Sequence, residues 1–64
     1  MGLKDGDQYK SILSDNRIFT LNEESENMWY LSCDNDLKYG YQRTISQPEE
    51  PMRKDLEKFY MKIK

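Results

Sequence analysis

Apolar and polar side chains alternate near the start of the chain, with Tyr9, Ser11 and Leu13 on one side of an extended backbone and Lys10 and Ile12 on the other. Ser14-Asp15-Asn16 supplies turn chemistry before Arg17-Ile18-Phe19-Thr20-Leu21, so this stretch predicts a β-hairpin. A competing reading uses Tyr9, Ile12 and Leu13, spaced i, i+3, i+4, as one face of a short helix begun by Asp5 or Asp7. Asn22-Glu23-Glu24-Ser25-Glu26-Asn27 is a polar acidic connector, and Met28-Trp29-Tyr30-Leu31-Ser32-Cys33 has the aromatic content of a strand. Asp34-Asn35-Asp36 reads as a turn. From Lys38 to Ile45, Tyr39, Tyr41, Arg43 and Ile45 fall on one face and Gly40, Gln42 and Thr44 on the other, which predicts a second hairpin.

The last segment has a helical period. Met52, Leu56, Phe59, Tyr60 and Ile63 follow i, i+4, i+7, i+8, i+11 and form one apolar stripe. Ser46 followed three residues later by Glu49 has capping-box spacing, Pro48 and Pro51 are tolerated only in a first turn, and no Pro or Gly interrupts 52–64. These elements predict a single small α+β domain. A frayed lead-in at 1–7 precedes a β-meander of three to four strands over 8–45, and an amphipathic helix at 47–64 covers one sheet face. The other face stays open to a partner or to a second copy of the chain.

Composition narrows the function. In 64 residues there is no histidine and one cysteine, Cys33, so neither an intrachain disulfide nor a zinc site of the usual N/S type can form. General acid–base chemistry loses its commonest group, and the chain reads as non-catalytic. Cys33 has Asp34 and Asp36 as near neighbours, which disfavour a thiolate, so a buried structural thiol is expected. A calcium loop starting at Asp34 fails because Lys38 and Tyr39 stand where an oxygen ligand and a glycine are needed. Gly2, Gly6 and Gly40 match no phosphate-cradling pattern, so no cofactor is expected. No stretch approaches the length of an apolar membrane span, and a cytoplasmic location follows from the cysteine usage.

Two candidate surfaces remain. Trp29, Tyr30, Tyr39 and Tyr41, with Arg43 beside them, lie on neighbouring predicted strands and could anchor a protein partner or stack unpaired bases. Lys54, Lys58 and Lys62 recur every four residues as a basic stripe on the predicted helix. Residues 1–51 carry 5 basic and 10 acidic side chains (5 − 10 = −5) and residues 52–64 carry 5 and 2 (5 − 2 = +3), the total being −2. The aromatic segment is thus the acidic one, which weighs against nucleic acid and toward a larger protein as partner. A thin core also makes a homodimer an expectation. Ala and Val are absent while Asn, Lys, Ile and Tyr are frequent, a bias typical of AT-rich coding. That bias fits a phage-encoded inhibitor of a bacterial enzyme or defence system.

Overall fold

A computed structural model describes residues 2–12, 17–36 and 40–63. The elements run β1 (Gln8–Ser11), β2 (Ile18–Ser25), β3 (Met28–Asp36), β4 (Gly40–Arg43), α1 (Glu49–Phe59) and β5 (Tyr60–Lys62). They build one antiparallel sheet in the order β4-β3-β2-β1-β5, with α1 packed across one face. This is the expected α+β architecture of a small meander under a C-terminal helix, with one strand more.

Residues 8–11 are a strand, not a helix: Tyr9 pairs with Phe19 and Lys10 with Ile18. The turn expected at Ser14-Asp15-Asn16, with Leu13, lies outside the described residues, as do Lys38 and Tyr39. Period two decides what is buried. Tyr9 and Ser11 of β1, Phe19 and Leu21 of β2, and Trp29, Leu31 and Cys33 of β3 all point under the helix. Met52 and Leu56 fill the other side of this core, with Leu3 and Tyr60 packed at its margin. Full burial of an aliphatic side chain is worth about 1.5–3 kcal/mol. In so small a core, Leu21, Leu31 and Met52, the most buried large side chains, therefore carry much of the stability.

Several boundaries differ from expectation, each for a tertiary reason. The lead-in is tied down rather than frayed. Gly6 N–H donates to the Leu21 carbonyl and Leu21 N–H to the Asp7 carbonyl, both at 2.8 Å, so the β1–β2 ladder begins before β1 itself. Gly6, at φ 97°, supplies the left-handed residue of that turn. The acidic connector is mostly strand: β2 continues to Ser25, and Ser25 pairs with Met28 around a two-residue turn of Glu26 and Asn27. Asn27 holds φ 59°, a conformation Asn tolerates better than most residues. Asp34-Asn35-Asp36 is likewise strand, because β3 runs on to pair Asp36 with Gly40.

The helix is shorter than 47–64. Ser46 does not cap it. The N-cap position is Pro48, and Asn27 Oδ1, at the tip of the β2–β3 hairpin, accepts from Glu49 N–H at 3.3 Å. At the far end the chain turns extended at Tyr60, with φ −135° and ψ 160°, and Tyr60–Lys62 pairs with β1. An 11-residue helix followed by a strand satisfies the outer edge of β1, which a continued helix would have left unpaired. Phe59 and Tyr60 still face the core side, whereas Ile63 is exposed.

Candidate interaction surface on the open sheet face

Cross-strand register fixes the composition of the uncovered face. Asn22 stands opposite Tyr30, Thr20 opposite Ser32, and Ser32 opposite Arg43, so Tyr30 and Arg43 are near neighbours on it. Tyr41, two residues from Arg43, shares the face and is 60% exposed. Trp29 belongs to the opposite face and is only 6% exposed, so it is a core residue and offers no surface. Its indole N–H is buried with no acceptor among the described residues. Tyr39 lies outside them.

At the β4 end of the face, Arg43 organises a cluster. Its guanidinium lies 3.7 Å from the centroid of the Tyr30 ring, donates to Glu24 Oε1 at 2.8 Å and to Ser46 Oγ at 2.9 Å. Ser46 Oγ in turn donates to Glu24 Oε1 at 2.7 Å. The ring fixes one side of the guanidinium and the carboxylate and hydroxyl hold its nitrogens, so a long side chain is confined to one geometry. These bonds, first the one from Arg43 and then the one from Ser46, hold the Glu24 carboxyl below its ordinary range and raise Arg43 above its own. Beside the cluster, Asn22 Nδ2 donates to Ser32 Oγ and to the Thr20 carbonyl, each at 2.9 Å, which locks the middle of the face.

Glu24 and Ser46 were invisible to sequence reading as members of this site. Glu24 is the extra residue of a β-bulge: Glu23 pairs with Trp29 and Ser25 with Met28, leaving Glu24 unopposed. A bulge re-aims a side chain, and here it presents the carboxylate to Arg43. Ser46 is released from a capping role because the helix starts after Pro48. No family model, curated protein or solved structure matches the chain.

The lysine stripe is broken by the end of α1. Lys54 and Lys58 are exposed on the helix, with Lys58 5.3 Å from the Phe59 ring centroid. Lys62 is on β5, where its ammonium stands 3.9 Å from Asp7. The three therefore do not form one helical surface.

Clefts flank the helix. One of about 180 Å³ sits between α1 and β3, with Ser11, Thr44, Gln47, Asp55 and Tyr60 around a floor of Leu31 and Met52. Gln47 Nε2 donates to Asp55 Oδ2 at 2.8 Å across it. Pockets for small organic ligands usually exceed about 300 Å³. A second, wider groove of about 310 Å³ runs between α1 and the β1–β5 edge, with Glu57 and Lys62 on its rim. No helix among the described residues is long and apolar enough to cross a membrane.

Proposed function

We propose that this chain is a small non-catalytic interaction protein that binds a larger protein through the β4 end of its open sheet face, with Tyr41, Tyr30 and Arg43 as anchors. The carrying observation is the confinement of Arg43 by Tyr30, Glu24 and Ser46. Ordering a long side chain on binding costs about 0.5–1.5 kcal/mol, and here most of that cost is met within the free protein. Tyr and Arg are also the residue types on which interface energy concentrates. The AT-biased composition favours a phage-encoded inhibitor of a bacterial enzyme or defence protein as the form of this function. The buried thiol of Cys33, the one cysteine of the sequence, supports a cytoplasmic setting.

Single-stranded nucleic acid is the second reading, since Tyr30 and Tyr41 share an accessible face. Glu24 counts against it, because a carboxylate neutralises the one cation of the cluster and would oppose a phosphate there. Affinity capture from a bacterial lysate, run beside oligonucleotide titrations, separates the two. The proposal expects a protein recovered by the wild type and lost with Tyr41→Ala. Tight, steeply salt-dependent oligonucleotide binding with no protein recovered would overturn it.

A further inference from the structure

The two sheet edges are not equivalent. The β4 edge is blunted: its register against β3 shifts between Cys33 and Asp36, and its outward residue Arg43 is engaged with Glu24. Bulges and charges of this kind discourage edge pairing. The β5 edge has a regular register, in which Tyr9 pairs with Lys62, Lys10 with Met61 and Ser11 with Tyr60. Ile12 N–H donates to the Phe59 carbonyl and Ile63 N–H to the Gln8 carbonyl, each at 3.0 Å. Antiparallel hydrogen-bonded pairs recur every second residue, so Met61 turns its backbone groups toward β1, and Lys62 and the Tyr60 carbonyl turn outward, Tyr60 N–H being donated to the Leu56 carbonyl at the end of α1.

An apolar strip adjoins those outward groups on the open face: Ile12 is 55% exposed, Met61 58% and Ile63 44%. On the helix side, Tyr60 and Lys62 border the groove that also carries Glu57.

We propose that the β5 edge binds the β5 edge of a second copy of this chain, antiparallel, with Met61 facing Met61 across a two-fold axis. In that register Lys62 N–H of each copy donates to the Tyr60 carbonyl of the other, one hydrogen bond in each direction, while Tyr60 N–H stays with the Leu56 carbonyl of its own helix. The Met61 pair is then non-hydrogen-bonded, with side chains closest, and the two apolar strips merge into one band. Charge is complementary too. Lys62 of one copy comes beside Tyr60 of the other, at the negative C-terminal end of α1 and on the groove rim that carries Glu57. Lys62 can make that contact because its own ion pair with Asp7 is long, at 3.9 Å. The product is a continuous sheet of twice five strands, closed by symmetry, which leaves both Tyr30–Arg43 clusters at the far edges.

Cysteine cross-linking reads the register directly. Non-hydrogen-bonded Cα atoms lie about 4.5 Å apart, within disulfide range. Met61→Cys under a mild thiol redox buffer is expected to give a disulfide-linked dimer at least about tenfold faster than Tyr41→Cys, because pairing raises the effective thiol concentration. Tyr41 is a fair control, being 60% exposed against 58% for Met61. Sedimentation of the wild type at millimolar concentration is expected to give twice the 7.7 kDa chain mass. Lys62→Pro, which removes the outward N–H and the ammonium while leaving the Met61–Lys10 pairing in place, is expected to return it to one chain mass with the thermal melt retained. Equal cross-linking rates, a wild type that stays at one chain mass, or a folded Lys62→Pro that still dimerises would each overturn the proposal. Should Lys62→Pro not fold, the two cysteine variants decide.

Discussion

Arg43 stacks on Tyr30 with its guanidinium 3.7 Å from the ring centroid, and the two residues come from adjacent strands whose register puts them on the same uncovered face. Neither a helix nor a pocket is needed to hold this contact. It depends on the pairing of Ser32 with Arg43, which brings Arg43 diagonally beside Tyr30, and on the Glu24 bulge, which closes the cluster from the hairpin side.

Glu24 should report this arrangement in solution. Its carboxyl is lowered chiefly by the hydrogen bond from Arg43, so a carboxyl-carbon NMR titration should place its midpoint below the ordinary glutamate value of about 4.3. A folded-state value below the unfolded one means the contribution to stability is present above the unfolded pKa and is lost as pH falls through the folded one. Arg43→Ala should raise the midpoint toward the ordinary value, the bond from Ser46 still holding it down in part. A Glu24 that titrates identically in both proteins would show that the cluster does not form.

The hairpin turn gives a second test. Asn27 combines a left-handed backbone with a side-chain bond to the first N–H of α1, at 3.3 Å. Asn27→Ala loses both the conformational tolerance and the bond and should cost about 1–2 kcal/mol. Asn27→Gly keeps the backbone freedom, loses only the bond, and should cost less. Urea melts followed by Trp29 fluorescence rank the two; the reverse order would rule out the turn geometry.

Tyr60 makes an edge-on contact with Phe19, at 5.5 Å between centroids and 82° between planes. Burial first, and Asp55 second, raise its phenol above the ordinary tyrosine value, with Arg17 opposing them. Tyr9 is raised as well, by burial and then by Asp7. A raised folded value contributes stability that is whole below the unfolded pKa, about 10, and is lost as pH rises through the folded one. Ultraviolet titration should therefore show a late phenolate component that shrinks in Tyr60→Phe. An unchanged curve in that variant would contradict the buried placement of the ring.

Much of this fold was legible because period-two and helical patterns report burial directly. Tyr9, Phe19, Leu21, Leu31, Met52 and Leu56 lie under one another as their spacing implies. What the pattern could not report were contacts decided at long range. Local propensity allows residues 60–63 to continue a helix, and only the open edge of β1 makes them a strand. Trp29 and Tyr30 are adjacent, equally aromatic, and on opposite faces; choosing which is buried requires the register against β2. The part played by Glu24 needed a bulge that no local residue pattern encodes.

Stability should follow the same division between faces. Leu31 is almost wholly buried between the middle of the sheet and α1, where truncation leaves a cavity the neighbouring Leu21 and Met52 cannot fill without moving. Leu31→Ala should therefore cost about 2–5 kcal/mol, a large share of the stability of a domain this size. Ile45 is as large and as apolar but 89% exposed, so Ile45→Ala should stay within about 0.5 kcal/mol of the wild type. Paired denaturant melts of the two variants measure the contrast. A comparable loss from Ile45→Ala would mean that this side chain is covered in solution, by a second copy or another partner, and would move the interaction surface from the Tyr30–Arg43 face to the β4 edge.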